Sequence, residues 1–310
     1  MDNLLSILSR FANGVISFFV AFLEKAVRIV RGPHRTAEPG PRPWQTPLLP
    51  VKDGTHPVTV IIPTLNETAN LFNTINNLFS KCALPTMLHC RQPEVIIVDG
   101  NSQDGTLSSI SQLVAKYPSI HAFSQASPSR GAQQMFGASQ ATAGTSVFLF
   151  LHADTILPPR WDSKIVSTLS STSSPALGTF SLSLPAPISF SLRIMLLGAK
   201  LRGKYCGLPY GDQAFFLRRS TFSHVDGFPD VPIMEDVELL KRLKRIGGTI
   251  QVLDEQVITS PRRWVKKGVW WNTMYNQCFM IAWMLDTSPE TIYEWYYGVQ
   301  YVKEKKTKIK

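Results

Sequence analysis

Three short segments rich in polar side chains stand directly after apolar runs. Pro63-Thr64-Leu65-Asn66-Glu67 follows Val58–Ile62. Asp99-Gly100-Asn101-Ser102-Gln103-Asp104-Gly105 follows Glu94–Val98. His152-Ala153-Asp154 follows Val147–Leu151. An Asp just past a buried strand can accept from a ribose hydroxyl or a base N–H, and Gly100 and Gly105 let the chain turn tightly beside it. His152 and Asp154 offer one imidazole and one hard oxygen. A carboxylate together with two phosphates would hold Mg2+ or Mn2+. His152 alone reads more readily as a hydrogen-bonding side chain than as a ligand. A second cluster comprises Gly211-Asp212-Gln213, Glu235-Asp236 and Arg262-Arg263-Trp264. Asp236 opens the helical stretch Val237-Glu238-Leu239-Leu240. A carboxylate at a helix N-terminus stays ionised, so it can serve as a general base toward an alcohol. The chain has no Gly-x-Gly-x-x-Gly and no Gly-x-x-x-x-Gly-Lys-Ser/Thr, which disfavours a dinucleotide dehydrogenase and a P-loop phosphotransferase.

The elements that must position these groups alternate. Val58–Ile62, Glu94–Val98 and Val147–Leu151 read as buried strands and Ile120–Phe123 as a short one. Asn66–Ser80 and Thr106–Tyr117 read as helices. Arg130–Ala143, rich in Ala, Gln and Gly, reads as a helix packed close to its neighbours. Such alternation predicts an α/β fold, a mostly parallel central sheet with helices on both faces. Ligands of open parallel sheets bind outside the carboxyl ends of the strands, which is where the three segments fall. Beyond Pro158 the pattern loosens. Ser170–Pro187 reads as an irregular hairpin region, Asp236–Ile246 as a charged helix stopped by Gly247-Gly248, and Ile250–Leu253 as a last short strand. Val269–Leu285 is uncharged and aromatic. It suits either a membrane interface or a terminal helix packed on the domain.

The chain of 310 residues is 44% hydrophobic and 17% charged. That excludes global disorder. The formal charge of +10 sits largely at the ends: residues 1–57 hold seven Lys/Arg against four Asp/Glu, and residues 301–310 hold five Lys against one Glu. A near-neutral body with basic ends does not suit a nucleic-acid groove and suits an anionic membrane surface. Cys82, Cys90, Cys206 and Cys278 contain no C-x-x-C pair, and a reducing compartment fits them.

Residues 1–31 carry Leu4, Leu8, Phe11, Val15, Phe18 and Phe22 on one helical face, with basic residues after them. This predicts an amphipathic, membrane-associating helix or short anchor. Its uncharged stretch is shorter than the ~20 residues of a spanning helix. Organelle (plastid) targeting is the alternative. Residues 32–57 hold seven prolines and read as an extended linker. The folded domain is expected over 58–297, and 298–310 is a basic tail.

These motifs resemble the family-2 glycosyltransferases of the GT-A, Rossmann-like nucleotide-diphospho-sugar transferase fold. Val58–Glu67, Val98–Thr106 and Glu235-Asp236 carry the resemblance. A closer likeness is to the subgroup with His-Ala-Asp in place of Asp-x-Asp, Gly-Asp-Gln at 211–213, Met-Glu-Asp-Val-Glu-Leu at 234–239 and Arg-Arg-Trp at 262–264. Bacterial members are often labelled arsenosugar-biosynthesis or radical-SAM-associated transferases. The resemblance implies an inverting hexosyltransferase using a nucleotide-diphosphate donor, UDP-linked by expectation, and a divalent cation, Mg2+ or Mn2+. It implies that Pro63, Thr64, Asn66 and Glu67 line the nucleotide pocket. Asp99 would meet uracil or ribose with Gly100, Ser102, Asp104 and Arg130 nearby. Asp154 would hold the cation, and Asp236, beside Glu235, would be the base. Asp212, Gln213, Arg263 and Trp264 would face the acceptor or diphosphate. Ser260 stands where processive relatives carry Gln, which disfavours a polymer synthase. The partners expected are a nucleotide sugar, a hydroxyl acceptor and a membrane surface facing the cytosol, with no nucleic acid. The rival readings are a sugar-phosphate nucleotidyltransferase, which would want a basic Gly-rich loop after the first strand, and an inactive binding or scaffold protein, which would be expected to lose Asp154 or Asp236.

Overall fold

The computed structural model describes residues 43–44, 55–88, 90–125, 129–171 and 173–299. The amphipathic segment 1–31, most of the linker 32–57 and the tail from residue 300 onward lie outside the described residues. Val58–Thr64 forms β1, and its apolar run continues straight into the first turn. In order there follow α1 (Thr68–Ser80), α2 (Leu84–Leu88), β2 (Glu94–Asp99), α3 (Thr106–Lys116), β3 (Ile120–Ser124) and α4 (Arg130–Gln140). Next come β4 (Val147–Phe150), β5 (Thr155–Ile156), α5 (Trp161–Ser170), β6 (Leu177–Ser183) and α6 (Phe190–Cys206). A 3-10 turn, Gly211–Gln213, leads into β7 (Phe215–Arg218) and α7 (Arg219–His224). The chain ends in α8 (Glu235–Arg245), β8 (Ile250–Thr259), α9 (Arg262–Lys267), α10 (Val269–Met284) and α11 (Pro289–Tyr297).

The strands form one sheet in the order β3-β2-β1-β4-β7-β6-β8-β5. β3, β2, β1 and β4 run parallel, β7 is antiparallel to β4 and β6, and β8 is parallel to β6. Successive residues of the central strands point to opposite faces. Val58, Val60 and Ile62 meet α1, α3 and α5 through Leu71, Leu113 and Ile165. Ile61, Phe148 and Phe150 meet the other layer through Ala138, Phe222 and Leu240. Both faces are covered, so the runs read as continuously apolar rather than alternating. α4 comes closest to the sheet at Gly137, where a Cβ would stand 2.6 Å from Ile61 Cγ2. That contact requires Gly137, while Gly131 of the same helix faces Pro229 O and Glu235 Cβ, each 3.2 Å from where its Cβ would stand.

Three expectations are corrected. Ser170–Pro187 is no irregular hairpin, because it contains β6, a buried interior strand. Its polar residues are satisfied by backbone carbonyls, Thr179 Oγ1 donating to Gln213 O at 2.6 Å and Ser181 Oγ to Leu253 O at 2.7 Å. Gly178 leaves room for the Phe216 ring. These small side chains hide the hydrophobic pattern. The last strand runs to Thr259 instead of stopping at Leu253, with Asp254 and Glu255 on a largely exposed stretch. The linker also touches the domain. Trp44 is buried in the core, and its carbonyl accepts from Arg218 Nε at 3.0 Å. The fold therefore draws in residues upstream of Val58.

Among the described residues no helix is long and apolar enough to cross a membrane. The four cysteines are free.

Candidate active site

Topology brings the two sequence clusters together. β2, β1 and β4 are adjacent and parallel, so the turns after Asp99, Thr64 and Phe150 open on one edge. β7 runs against β4 with Phe215 opposite Phe150. The turn before β7, which holds Asp212, therefore lands beside His152. β8 shares β4's direction through β6, so Arg262, Arg263 and Trp264 emerge at the same edge. The pairing Thr155–Thr259 then sets Asp154 near Arg262.

Here lies a cavity of about 1260 Å3. Its wall includes Pro63, Thr64, Glu67, Arg130, His152, Asp154, Asp212, Glu235, Asp236, Arg263 and Trp264. Asp236 sits in the first turn of α8 and accepts from Gly211 N at 2.8 Å and Val237 N at 2.8 Å. Gly211 lies against both groups: a Cβ there would stand in ordinary contact, 3.4 Å from Asp236 Oδ2 and 3.6 Å from His152 Nε2. Glu235 is buried and pairs with Arg130 at 3.2 Å. Burial raises its carboxyl above the usual range against the pull of Arg130. Burial likewise pushes Asp212 up to about 6, with Arg202 opposing and Asp236 and Asp154 adding to the rise. His152 is held neutral, since burial drives its pKa far down and the charges of Arg130 and Arg263 add to this. Both His152 Nε2 and Asp212 Oδ1 are buried with no hydrogen-bond partner among the described residues.

Other expected site residues stand behind the wall. Asp99 is buried and accepts from Ser102 N at 2.9 Å, Ser102 Oγ at 2.5 Å and Thr64 Oγ1 at 3.3 Å. It fixes the turn rather than presenting a free carboxylate. Gly100 N donates to Thr64 O, and Asn66 N to Ser102 Oγ. Asn66 itself adopts a left-handed φ of 56°, which Asn tolerates. Asp104, one residue before the Gly105 N-cap of α3, accepts from Thr106 N at 2.9 Å and from Thr68 N at 3.3 Å. Gln213 is fully buried, its amide donating to Phe180 O and accepting from Tyr210 N. It therefore braces the 3-10 turn. None of Asn66, Asp99, Gly100, Ser102, Asp104 or Gln213 lines the cavity.

Two further residues hold the site. Arg262, which the sequence places in the second cluster without a role, pairs with Glu67 and stands 3.5 Å from Asp154. Its place in the Arg-Arg-Trp run was the available signal. Gln133 ties the ends of β1 and β2 by donating to Thr64 O at 2.9 Å and Val98 O at 2.7 Å. Nothing in the sequence marks it.

Another group of potential metal ligands lies at the far end of β1. Cys82 Sγ is 2.8 Å from Asp162 Oδ2 and 3.6 Å from His56 Nε2, and His56 Nε2 is 3.4 Å from the same carboxylate. Asp162 also accepts from Ala83 N and Leu84 N. His56 bonds Val58 at the start of the seven-residue strand that ends at Thr64, about 20 Å away at roughly 3.3 Å per residue step. This group is thus remote from the cavity.

Residues 59–181 match the family model for glycosyl transferase family 2. Asp212, Glu235, Asp236, Arg263 and Trp264 lie beyond the matched stretch. The fold is similar to the mannosyltransferase PcManGT from Pyrobaculum calidifontis in complex with GDP-Man and Mn2+. The identity is 15% and the TM-score 0.53, over 91% of this chain and 84% of that one. It is also similar to S. aureus TarS 1-349 in complex with UDP, at 17% identity and TM-score 0.50 over 77% and 70%. GalNAc-T7 with UDP, GalNAc and Mn2+ matches at 13% identity and TM-score 0.50, over 66% of this chain and 43% of that one. At these identities the likeness establishes the GT-A fold. No curated protein sequence matches the chain.

Proposed function

We propose that the protein is a family-2 glycosyltransferase that moves a sugar, a hexose by expectation, from a nucleotide-diphosphate donor to an acceptor hydroxyl with inversion. The observation that carries this reading is one cavity, at the carboxyl ends of the parallel strands, whose wall holds Asp236 together with Asp154, Arg262 and Arg263. The family-model match and the nucleotide complexes of the similar structures support it. UDP is the favoured nucleotide, and the His-Ala-Asp and Met-Glu-Asp motifs support the subgroup named above.

In the transfer, the acceptor oxygen attacks the anomeric carbon as the bond from that carbon to the diphosphate oxygen breaks. The nucleoside diphosphate leaves with the bonding electrons, and Asp236 takes the acceptor's proton. Asp236 is pre-aimed by Gly211 N–H and Val237 N–H. Arg130, held by Glu235, and Arg263 line the same wall as positive charges for a leaving diphosphate.

The chain's donors fit a divalent cation. Asp154 faces the cavity, and two buried atoms, His152 Nε2 and Asp212 Oδ1, have no partner among the described residues. Asp154, with His152 or Asp212, would hold Mg2+ or Mn2+ alongside the diphosphate. Such an ion would neutralise leaving-group charge.

The test is UDP release from a panel of UDP-sugars, with Mn2+ and with excess EDTA. Release from none of them, nor from GDP-mannose, would sink the reading. We further propose membrane association with the catalytic body facing the cytosol, since basic residues follow the apolar run of 1–31.

A further inference from the structure

The cavity has two halves of different chemistry. Its volume of about 1260 Å3 exceeds the roughly 300–1,000 Å3 of a pocket for one small ligand. At the strand ends and on α4 and α9 the wall carries Thr64, Arg130, Asp154, Arg262 and Arg263. Where α6 and α10 form it, it carries Ile194, Met195, Leu201, Trp270, Met274 and Phe279, with Arg202, Asn272, Asn276 and Gln277 among them. That second half opens outward. Ile194, Leu201, Trp270 and Met274 line it, yet they are 40%, 46%, 57% and 60% exposed.

α6 forms the lip of this opening and carries its apolar residues on the outside. Its buried residues are small: Ala199, Gly203 and Cys206. Of its large ones, Leu192, Met195 and Leu196 are half-buried, while Phe190, Ile194, Leu197, Leu201 and Tyr205 are exposed. Their spacing of three and four residues makes one helical stripe. α10 packs against α6 and extends the surface with Trp270 and Trp271. The flanks are basic. α6 bears Arg193, Lys200, Arg202 and Lys204, α9 bears Arg262, Arg263, Lys266 and Lys267, and no acid occurs in α6, α9 or α10. A continuous exposed apolar patch marks an interaction surface. Apolar and aromatic side chains with cationic flanks match an anionic lipid interface.

We propose that the acceptor is a lipid, a hydroxyl-bearing headgroup on an apolar chain, drawn from a membrane surface on which the α6 stripe rests. This rests on the glycosyl-transfer reading. The headgroup hydroxyl stands at Asp236 and gives it the proton, the sugar's bond to the diphosphate is exchanged for a bond to that oxygen, and the chain lies in the apolar half. Gly198 lines that half, and a Cβ placed on it meets nothing within 4 Å. A large side chain there fills the groove without a clash at its root.

The experiment titrates the full chain with methyl, hexyl, octyl and decyl β-D-glucosides below their micelle concentrations, read by tryptophan fluorescence. Affinity should rise about 2- to 4-fold per methylene until the groove is full. Gly198→Phe should abolish that gain, with UDP affinity as the folding control. A flat chain-length dependence, or a gain that Gly198→Phe leaves intact, overturns the proposal. UDP release from UDP-sugars is followed in parallel. Release without chain-length dependence overturns the lipid acceptor and keeps glycosyl transfer. Chain-length-dependent binding with no release from any donor supports the groove and removes the transfer reading. In a second arm, Leu197→Glu, outside the cavity, should weaken binding to phosphatidylcholine/phosphatidylglycerol vesicles by about 10-fold or more at high salt. Unchanged binding, or a loss of self-association in its place, overturns the docking face.

Discussion

Asp236 and Asp154 are the residues on which the proposed chemistry stands, and their surroundings separate their roles. Asp236 Oδ2 accepts from Gly211 N–H and Oδ1 from Val237 N–H. In Asp236→Asn the amide oxygen can keep one of these bonds while the base is lost. Turnover should fall about 10²-fold or more with little change in melting temperature or UDP affinity. Near-wild-type turnover of this variant would transfer the base role to Asp212. Glu235→Gln should cost less in turnover, since Glu235 acts through Arg130. Asp154→Asn keeps shape and loses charge, so Mn2+-dependent activity should drop to near the level of wild type in excess EDTA. Full activity of that variant, or of wild type in EDTA, would remove the cation from Asp154. His152→Ala should be milder. These acids were legible because each follows a strand or opens a helix. Their supports were not. Gln133 and the backbone of Gly211 act through geometry that only the paired strands create, and Asp99 and Gln213, which look like binding groups in a string of letters, are consumed by hydrogen bonds within the turns.

At the scale of elements, the sequence revealed the parallel half of the sheet and concealed the rest. β1, β2 and β4 are short, β-branched or aromatic, and covered on both faces, so composition alone marks them. β6 is an interior strand made of Leu, Gly, Thr, Phe and Ser, and its signal vanished because backbone carbonyls satisfy its hydroxyls. α6 escaped notice because its apolar stripe is not the face that packs on the body. Two substitutions test how the elements are held. Gly137→Val should force α4 off β1, since even a Cβ meets Ile61 Cγ2 at 2.6 Å. A cost of roughly 1–3 kcal/mol follows, visible as a lowered melting temperature. Asp162 gathers Ala83 N–H, Leu84 N–H, the Cys82 thiol and His56, joining α5 to the start of α2. Burial opposes its charge, but the bonds from His56, Cys82 and the two amides win and hold its pKa well below the usual carboxylate range. A depressed carboxyl stabilises the fold above its unfolded pKa of about 4, and this is lost as pH falls through the lower folded value. Asp162→Asn should therefore cost roughly 1.5–3 kcal/mol at neutral pH. The gap from wild type should shrink below pH ~4 in urea unfolding curves, and a constant gap across that range would assign the loss to packing.

For the whole molecule, the distribution of charge and of exposed apolar surface points to the same partner by two routes that salt can separate. The ends are basic, with five Lys against one Glu over residues 301–310, while α6 offers apolar residues flanked by Arg and Lys. Electrostatic attachment through the ends decays with ionic strength, the Debye length falling from ~10 Å at 0.1 M to ~3 Å at 1 M. Burial of apolar surface does not decay in this way. The full chain should therefore bind anionic vesicles in two components, one lost between about 0.1 and 0.5 M salt and one that persists. Removing residues 1–40 takes away both the basic residues and the apolar face of the amphipathic segment, so it should reduce both components and leave the α6 share of the persistent one, while UDP affinity stays, because this deletion spares Trp44, whose burial and bond to Arg218 tie the linker to the core. A deletion that runs to residue 50 removes Trp44 and should lower the melting temperature as well. Sedimentation with vesicles across a salt series checks both components. If the full chain ignores anionic vesicles even at low salt, neither the basic ends nor the α6 stripe is a membrane contact.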